Sequence, residues 1–423
     1  MNTREMTPPE ELPLARQDQD TARTAGWLLI VGILFIGAVL RAPLTSVGPL
    51  IGTIKGDLGI SNTLAGTLTT LPLLMFAVIS PFAPKWARKY GIEAVLLAAA
   101  AILTVGILLR SASGAGTLFL GTALLGVAIA LCNVLLPSLI KRDFPARIGL
   151  MTGVYSVSMN LSGAAASGIS VPAASGLGLG WKGALGAWAA LSLFALLFWL
   201  PLVTGSRKAR QRARVSAVSA NISGEKVVSV WKSPLAWKVT LYMGLQSTFF
   251  YAFVAWLPAI LNTRGLSAEY AGWMLSLMQL ALLPITFVVP ILAARMANQR
   301  FLVTLTCVLF LAGILGLLLG STALVPLWII LAGIGGGCAF SLAMMFFSLR
   351  TRSAQQSAEL SGMAQSFGYL LAAAGPILFG FLHDTTGGWT TPLLLLAVIA
   401  VLLFIVGQGA AANRFVGEER GAE

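Results

Sequence analysis

Arg41 stands inside an apolar run that reaches from Trp27 to about Ile51. It lies 14 residues past Trp27, which is ~20 Å along a helix at ~1.5 Å per residue. A central arginine in hydrocarbon costs ~2.5–3.5 kcal/mol on insertion scales, so something has to offset it. None of the 15 acids can, because all fall in tails, loops or span edges, Glu93, Glu359 and Asp384 being the edge cases. The remaining partners are carbonyls, neutral polar side chains, or an anionic or electron-rich solute. Gly37, Arg41, Thr45 and Gly48 follow at spacings of 4, 4 and 3, a small and polar stripe that leaves room beside the guanidinium.

A second set of polar groups lies in other apolar runs. Tyr242, Gln246, Phe249 and Phe253 form a stripe, with Tyr251 and Trp256 further along. Asn133, Asn160, Gln279 and Gln365 are mid-run amides, each needing a partner away from water. The expected solute contacts are therefore Arg41, Thr45, Asn133, Asn160, Gln246, Phe250, Tyr251, Gln279 and Gln365. The competing reading is packing, which fits the aromatic stripe and the glycines of Gly149, Gly153 and Gly163. His383, the single histidine, reads as part of a polar turn.

Covalent chemistry has no foothold. No Ser-His-Asp set, metal cluster or phosphate loop is visible, and Gly335-Gly336-Gly337 lies inside an apolar run. Cys132, Cys307 and Cys338 are far apart and read as small buried hydrophobes. Neither a catalytic set nor a cofactor is expected. A membrane enzyme would need such a set, and a sensor would bring a folded soluble domain.

These residues need elements that cross a bilayer. The chain of 423 residues is 57% hydrophobic and 10% charged, against about 25% charged in soluble domains. Twelve segments reach the ~20 residues a span requires: 27–51, 63–84, 92–110, 117–140, 149–172, 182–203, 237–261, 269–293, 301–320, 325–348, 359–382 and 390–412. In lipid each must be a helix. The net charge of +13 does not point to nucleic acid, because the cations cluster between apolar runs. With the N-terminus inside, 23 of the 28 Lys and Arg face the cytoplasm and four, Lys55, Arg110, Lys182 and Arg264, face outside. This split predicts an inner-membrane protein with both termini cytoplasmic. The polar start carries five acids before the first run, unlike a signal peptide.

The expected organisation is a disordered tail (1–26), a six-helix bundle (27–203), a basic cytoplasmic loop (204–236), a second bundle (237–412) and a cytoplasmic tail (413–423). The two bundles look alike. Gly59, Ser61, Ala65, Gly66 and Pro84 recur as Gly265, Ser267, Ala271, Gly272 and Pro290, and Thr152-Gly153 aligns with Ser361-Gly362 at an offset of 209. The same offset places Phe250 opposite Arg41. Parallel repeats of this kind are the arrangement of the major facilitator superfamily.

The run Leu40-Arg41-Ala42-Pro43-Leu44-Thr45-Ser46-Val47-Gly48-Pro49-Leu50 resembles the first-helix signature of the cyanate/nitroimidazole transporter family (CynX/NimT type) of that superfamily. Met243-Gly244-Leu245-Gln246-Ser247, Trp256-Leu257-Pro258 and Gly375-Pro376 resemble it too. The resemblance implies an all-α integral membrane fold of twelve transmembrane helices in two six-helix halves. It implies transport of a small anion or small nitrogen heterocycle by a chain read here as a monomer in the lipid bilayer, with protons a candidate coupling ion. A multidrug exporter of broad specificity is the alternative. The superfamily's loop motif is degenerate, since Ala87-Arg88-Lys89-Tyr90-Gly91 has Arg88 where an Asp usually stands.

Overall fold

The structure, a computed structural model, describes residues 13–60, 62–112, 114–217 and 229–418. Its long elements are all helices. They are α1 (Pro13–Thr45), α2 (Val47–Leu58), α3 (Asn62–Ile79), α4 (Ala83–Tyr90), α5 (Ile92–Arg110), α6 (Ala115–Asp143), α7 (Ile148–Val171), α8 (Gly180–Gly186) and α9 (Trp188–Ala217) in the first half. The second half has α10 (Pro234–Thr263), α11 (Ala268–Arg295), α12 (Arg300–Leu319), α13 (Val325–Leu349), α14 (Ala354–Thr386) and α15 (Thr390–Ala410).

Ten of these elements are long and apolar enough to cross a membrane, and α3 with α4 forms an eleventh span bent by 57°. Pro81 and Pro84 account for the bend, because proline removes a helical N–H and clashes with the preceding turn. The twelfth expected span is α7. Its 24 residues suffice in length, but Gly, Ser, Thr and Asn dilute its hydropathy. The first span is also shorter than expected. It closes at Thr45, and α2 continues in a separate helix after Ser46.

The pairing of helices repeats between halves. In the first half α1 packs on α7 and α9, α3 on α6, and α5 on α6 and α9; in the second α10 packs on α14 and α15, α11 on α13, and α12 on α13 and α15. Across the halves α7 meets α11 and α14 meets α3. Glycines at matching positions permit both crossings. A Cβ on Gly153 would stand 2.8 Å from the Phe287 carbonyl, and one on Gly362 would stand 2.8 Å from the Ser80 carbonyl.

Three boundary expectations change. Residues 13–26, expected as disordered tail, belong to α1, as a helix nucleated in the apolar run propagates outward at low cost; residues 1–12 lie outside the described residues. Similarly α9 carries helix to Ala217, and only 218–228 of the central loop lie outside the description. After Ala410 the chain folds back, with the Val416 N–H donating to the Arg350 carbonyl at 2.9 Å and the Val416 side chain buried.

Candidate solute site

One end of the bundle, its basic end, carries Lys85, Arg88, Lys141, Arg142, Arg300 and Arg350. There the halves are pinned together. Lys141, at the end of α6, donates to the Ser348 carbonyl at 2.7 Å, to the Thr351 hydroxyl at 2.8 Å and to the Thr351 carbonyl. Ser138 donates to the Ala354 carbonyl at 2.6 Å. Arg88 pairs with Glu359 across the halves, so the cation in the degenerate loop motif has a carboxylate partner on α14.

Deeper, the halves separate around a cavity. Arg41 of α1, Asn160 of α7, Gln246, Ser247, Phe250 and Tyr251 of α10, and Tyr369 of α14 line it, with Leu282, Gly336 and Phe340 completing the wall. An adjoining space shares Arg41, Tyr251, Phe340 and Tyr369 and adds Asn133, Tyr155, Met159 and Met344. These residues come from both halves and sit near mid-depth: Asn160 and Gln246 each lie 12 residues, ~18 Å, from the basic start of their helix.

Arg41 is the only charge among these lining residues. Its guanidinium makes no hydrogen bond or ion pair among the described residues. It stands 5.3 Å from the centroid of the Phe250 ring, its counterpart in the second half. Its stem passes Gly163, where a Cβ would come within 2.5 Å of Arg41 Cγ. Thr45 donates to the Gly163 carbonyl at 2.8 Å, tying α1 to α7 at that point. Gln246 donates to Ser247 Oγ at 2.7 Å, which leaves its carbonyl oxygen as an acceptor.

Of the expected contacts, Arg41, Asn133, Asn160, Gln246, Phe250 and Tyr251 line these spaces. Thr45, Gln279 and Gln365 do not. Thr45 is spent on the α1–α7 contact. Gln279 is turned about 100° along α11 from Met278, which faces a neighbouring apolar recess with Leu282. Gln365 is buried one turn from Tyr369 toward the basic end. Most of the aromatic stripe is packing: Tyr242 meets the Phe346 edge, and Phe249 stacks on Phe310 at 3.7 Å. His383 lies in the last turn of α14, bonded to Asp384 at 3.1 Å and 4.2 Å from the Trp389 ring.

Sequence reasoning missed Tyr155, Tyr369 and Phe340. Tyr369 stands 209 residues from Asn160, so the repeat arithmetic that paired Arg41 with Phe250 also points to it. Arg110, expected in an outside loop, is wholly buried. It donates to the Pro43 carbonyl at 2.6 Å, beside the break between α1 and α2.

A twelve-helix membrane protein with repeated halves around a central cavity is the architecture of a secondary transporter. The chain belongs to the Major Facilitator Superfamily, whose profile matches residues 33–373, and within it to the cyanate/nitroimidazole (CynX/NimT) type. It is 47% identical over 389 residues to the "Uncharacterized transporter YycB" of Bacillus subtilis, covering 92% of this chain and 94% of that one. The "2-nitroimidazole transporter" of Escherichia coli is 41% identical, with 92% and 96% covered. The "Cyanate transport protein CynX" of Escherichia coli is 30% identical, with 92% and 98% covered. Among solved structures, the proton:xylose symporter XylE superposes with a TM-score of 0.72 at 11% identity, covering 93% of this chain and 98% of that one, and shares the fold.

Proposed function

We propose that this transporter moves a small anion or small electron-rich solute, of the cyanate or nitroimidazole kind, across the inner membrane by alternating access. The observation that carries this reading is the state of Arg41. A guanidinium has five N–H donors, and here they face a cavity with no partner among the described residues. Holding a mid-membrane cation unpaired is costly, and an anionic or nitro group bound beside it offsets that cost. The Phe250 ring on one side and the phenols of Tyr155, Tyr251 and Tyr369 nearby suit a flat solute whose oxygens accept hydrogen bonds. The relatives that transport 2-nitroimidazole and cyanate support the same chemical class.

The contacts at the basic end close the bundle there, so this conformation corresponds to a cavity shut toward the basic loops. The positive-inside bias assigns that end to the cytoplasm, with both termini on that side. No carboxylate is among the lining residues. A coupling proton would therefore travel on a phenol or on the solute itself.

The test is binding to purified protein. Cyanate and 2-nitroimidazole are expected to raise the thermal midpoint of the native chain and to leave that of Arg41→Ala unchanged. Equal stabilisation of both proteins removes Arg41 from the site. Stabilisation by bulky apolar compounds alone favours the broad exporter.

A further inference from the structure

Ser156 of α7 and Gln365 of α14 occupy the same position in the two repeats, 209 residues apart. Each lies one helical turn nearer the basic end than a cavity-lining residue, Asn160 and Tyr369, which are themselves repeat counterparts. Both are fully buried. Ser156 Oγ has no hydrogen-bond partner, and neither has Gln365 Oε1. The Gln365 amide nitrogen donates to Ser361 Oγ at 2.8 Å. Whichever way that amide is turned, one of its two polar atoms stays unpaired.

Neighbours on the same helices behave differently. Ser158 and Ser162 donate to the Leu34 and Ala38 carbonyls of α1, and Ser366 donates to the Ala77 carbonyl of α3. Ser80, just past the end of α3, Ser341 of α13 and Ser357 of α14 share the unpaired state of Ser156. Of the helices concerned, α3 meets α14 and α7 meets α13 across the halves. Ser156 lies one turn below Asn160 on α7 and Gln365 one turn below Tyr369 on α14, so each stands toward the closed end from its own cavity-lining neighbour. Leaving buried polar atoms unpaired is costly, and an apolar seam of the same shape would avoid it. Opening the seam hydrates them.

We propose that Ser156 and Gln365 form a second solute station, polar contacts one turn below Asn160 and Tyr369 on the way to the basic end. It is sealed in this conformation and exposed when the halves part there. The station is neutral. It offers hydroxyl and amide groups to a small polar solute leaving the cation, and so lets it go more readily than Arg41 does. The idea rests on the alternating-access reading above.

The test uses the full chain in liposomes with Cys132, Cys307 and Cys338 replaced by Ala. Ser156→Cys or Gln365→Cys is added, and a charged methanethiosulfonate reagent is applied to either face. Both thiols are expected to react from the basic-loop face, about tenfold or more faster than Ala339→Cys, a buried control inside the second half. Rates no higher than that control overturn the station. A second measurement keeps the native cysteines. Gln365→Leu is expected to lower 2-nitroimidazole or cyanate flux about tenfold while binding at the Arg41 cavity changes less than about twofold; unchanged flux overturns the proposal. Labelling needs no solute, so absent binding in the native chain would count against the substrate assignment alone.

Discussion

At the scale of single residues, Arg41 behaves unlike a structural arginine. Arg110 is wholly buried and donates to the Pro43 carbonyl, while Arg41, only partly buried, spends none of its donors among the described residues. Replacing a structural arginine destabilises the fold, whereas replacing an unpaired one relieves a cost. Arg41→Ala is therefore expected to unfold at the same temperature as the native chain or higher. It should also lose 2-nitroimidazole or cyanate affinity by about tenfold or more, the worth of one charge-assisted hydrogen bond. Calorimetry and titration on the same preparation check both halves of that statement. Arg41→Lys keeps the charge without the planar fork, so its affinity should fall between the two.

Gly163 is the second residue whose identity is set by the site. A methyl group there would meet Arg41 Cγ at 2.5 Å, close to the backbone of α1, where the side chain has little room to swing. Gly163→Ala should displace the guanidinium and weaken solute binding several-fold, on the order of 1 kcal/mol, without touching a solute contact directly. A titration showing native affinity would mean that the arginine reaches the cavity by another rotamer.

At the scale of elements, the break at Ser46 connects the first helix to the site. Pro43 sits two residues past Arg41, and Arg110 reaches across from the end of α5 to hold its carbonyl. The second half has a related staple: Arg264 at the end of α10 donates to the Leu317 and Gly320 carbonyls at 2.7 Å each. Arg110→Met leaves the Pro43 carbonyl without that donor, a loss of about 1–3 kcal/mol. The thermal midpoint is expected to fall by at least about 2 °C, measured in detergent with and without solute. An unchanged midpoint would mean that water or a shifted backbone satisfies the carbonyl.

At the scale of the whole molecule, the closed basic end depends on two kinds of contact. Arg88–Glu359 is a partly exposed ion pair, with Arg88 46% exposed, and such pairs contribute about 0–1 kcal/mol. Lys141 is more enclosed and donates to carbonyls at the C-terminal end of α13, where the helix dipole also favours a cation. Lys141→Met should therefore open the basic end more than Arg88→Ala does. Hydrogen exchange in the last turn of α13 and the first of α14 would report it: faster by about tenfold for the lysine variant, under about threefold for the arginine one. Equal effects would place the latch elsewhere.

Much of this was legible from residue order. The spans, the depth of Arg41 and the repeat of Gly59, Ser61, Ala65 and Gly66 follow from the thickness of a bilayer, the rise of a helix and the cost of charge in hydrocarbon, all of which act on sequence position alone. Which mid-span polar groups share one cavity did not follow. In water a helix shows its buried face by its apolar stripe; in lipid both faces are apolar, so rotation about the helix axis is set by packing against neighbours. That is why Gln279 and Gln365 are on the same footing as Asn160 and Gln246 in the sequence and part company in the fold. It is also why Tyr155 and Phe340 gave no signal until α7 and α13 were packed beside α1 and α10. The sequence by itself determined how deep each group sits, and only the tertiary structure decided which way it faces.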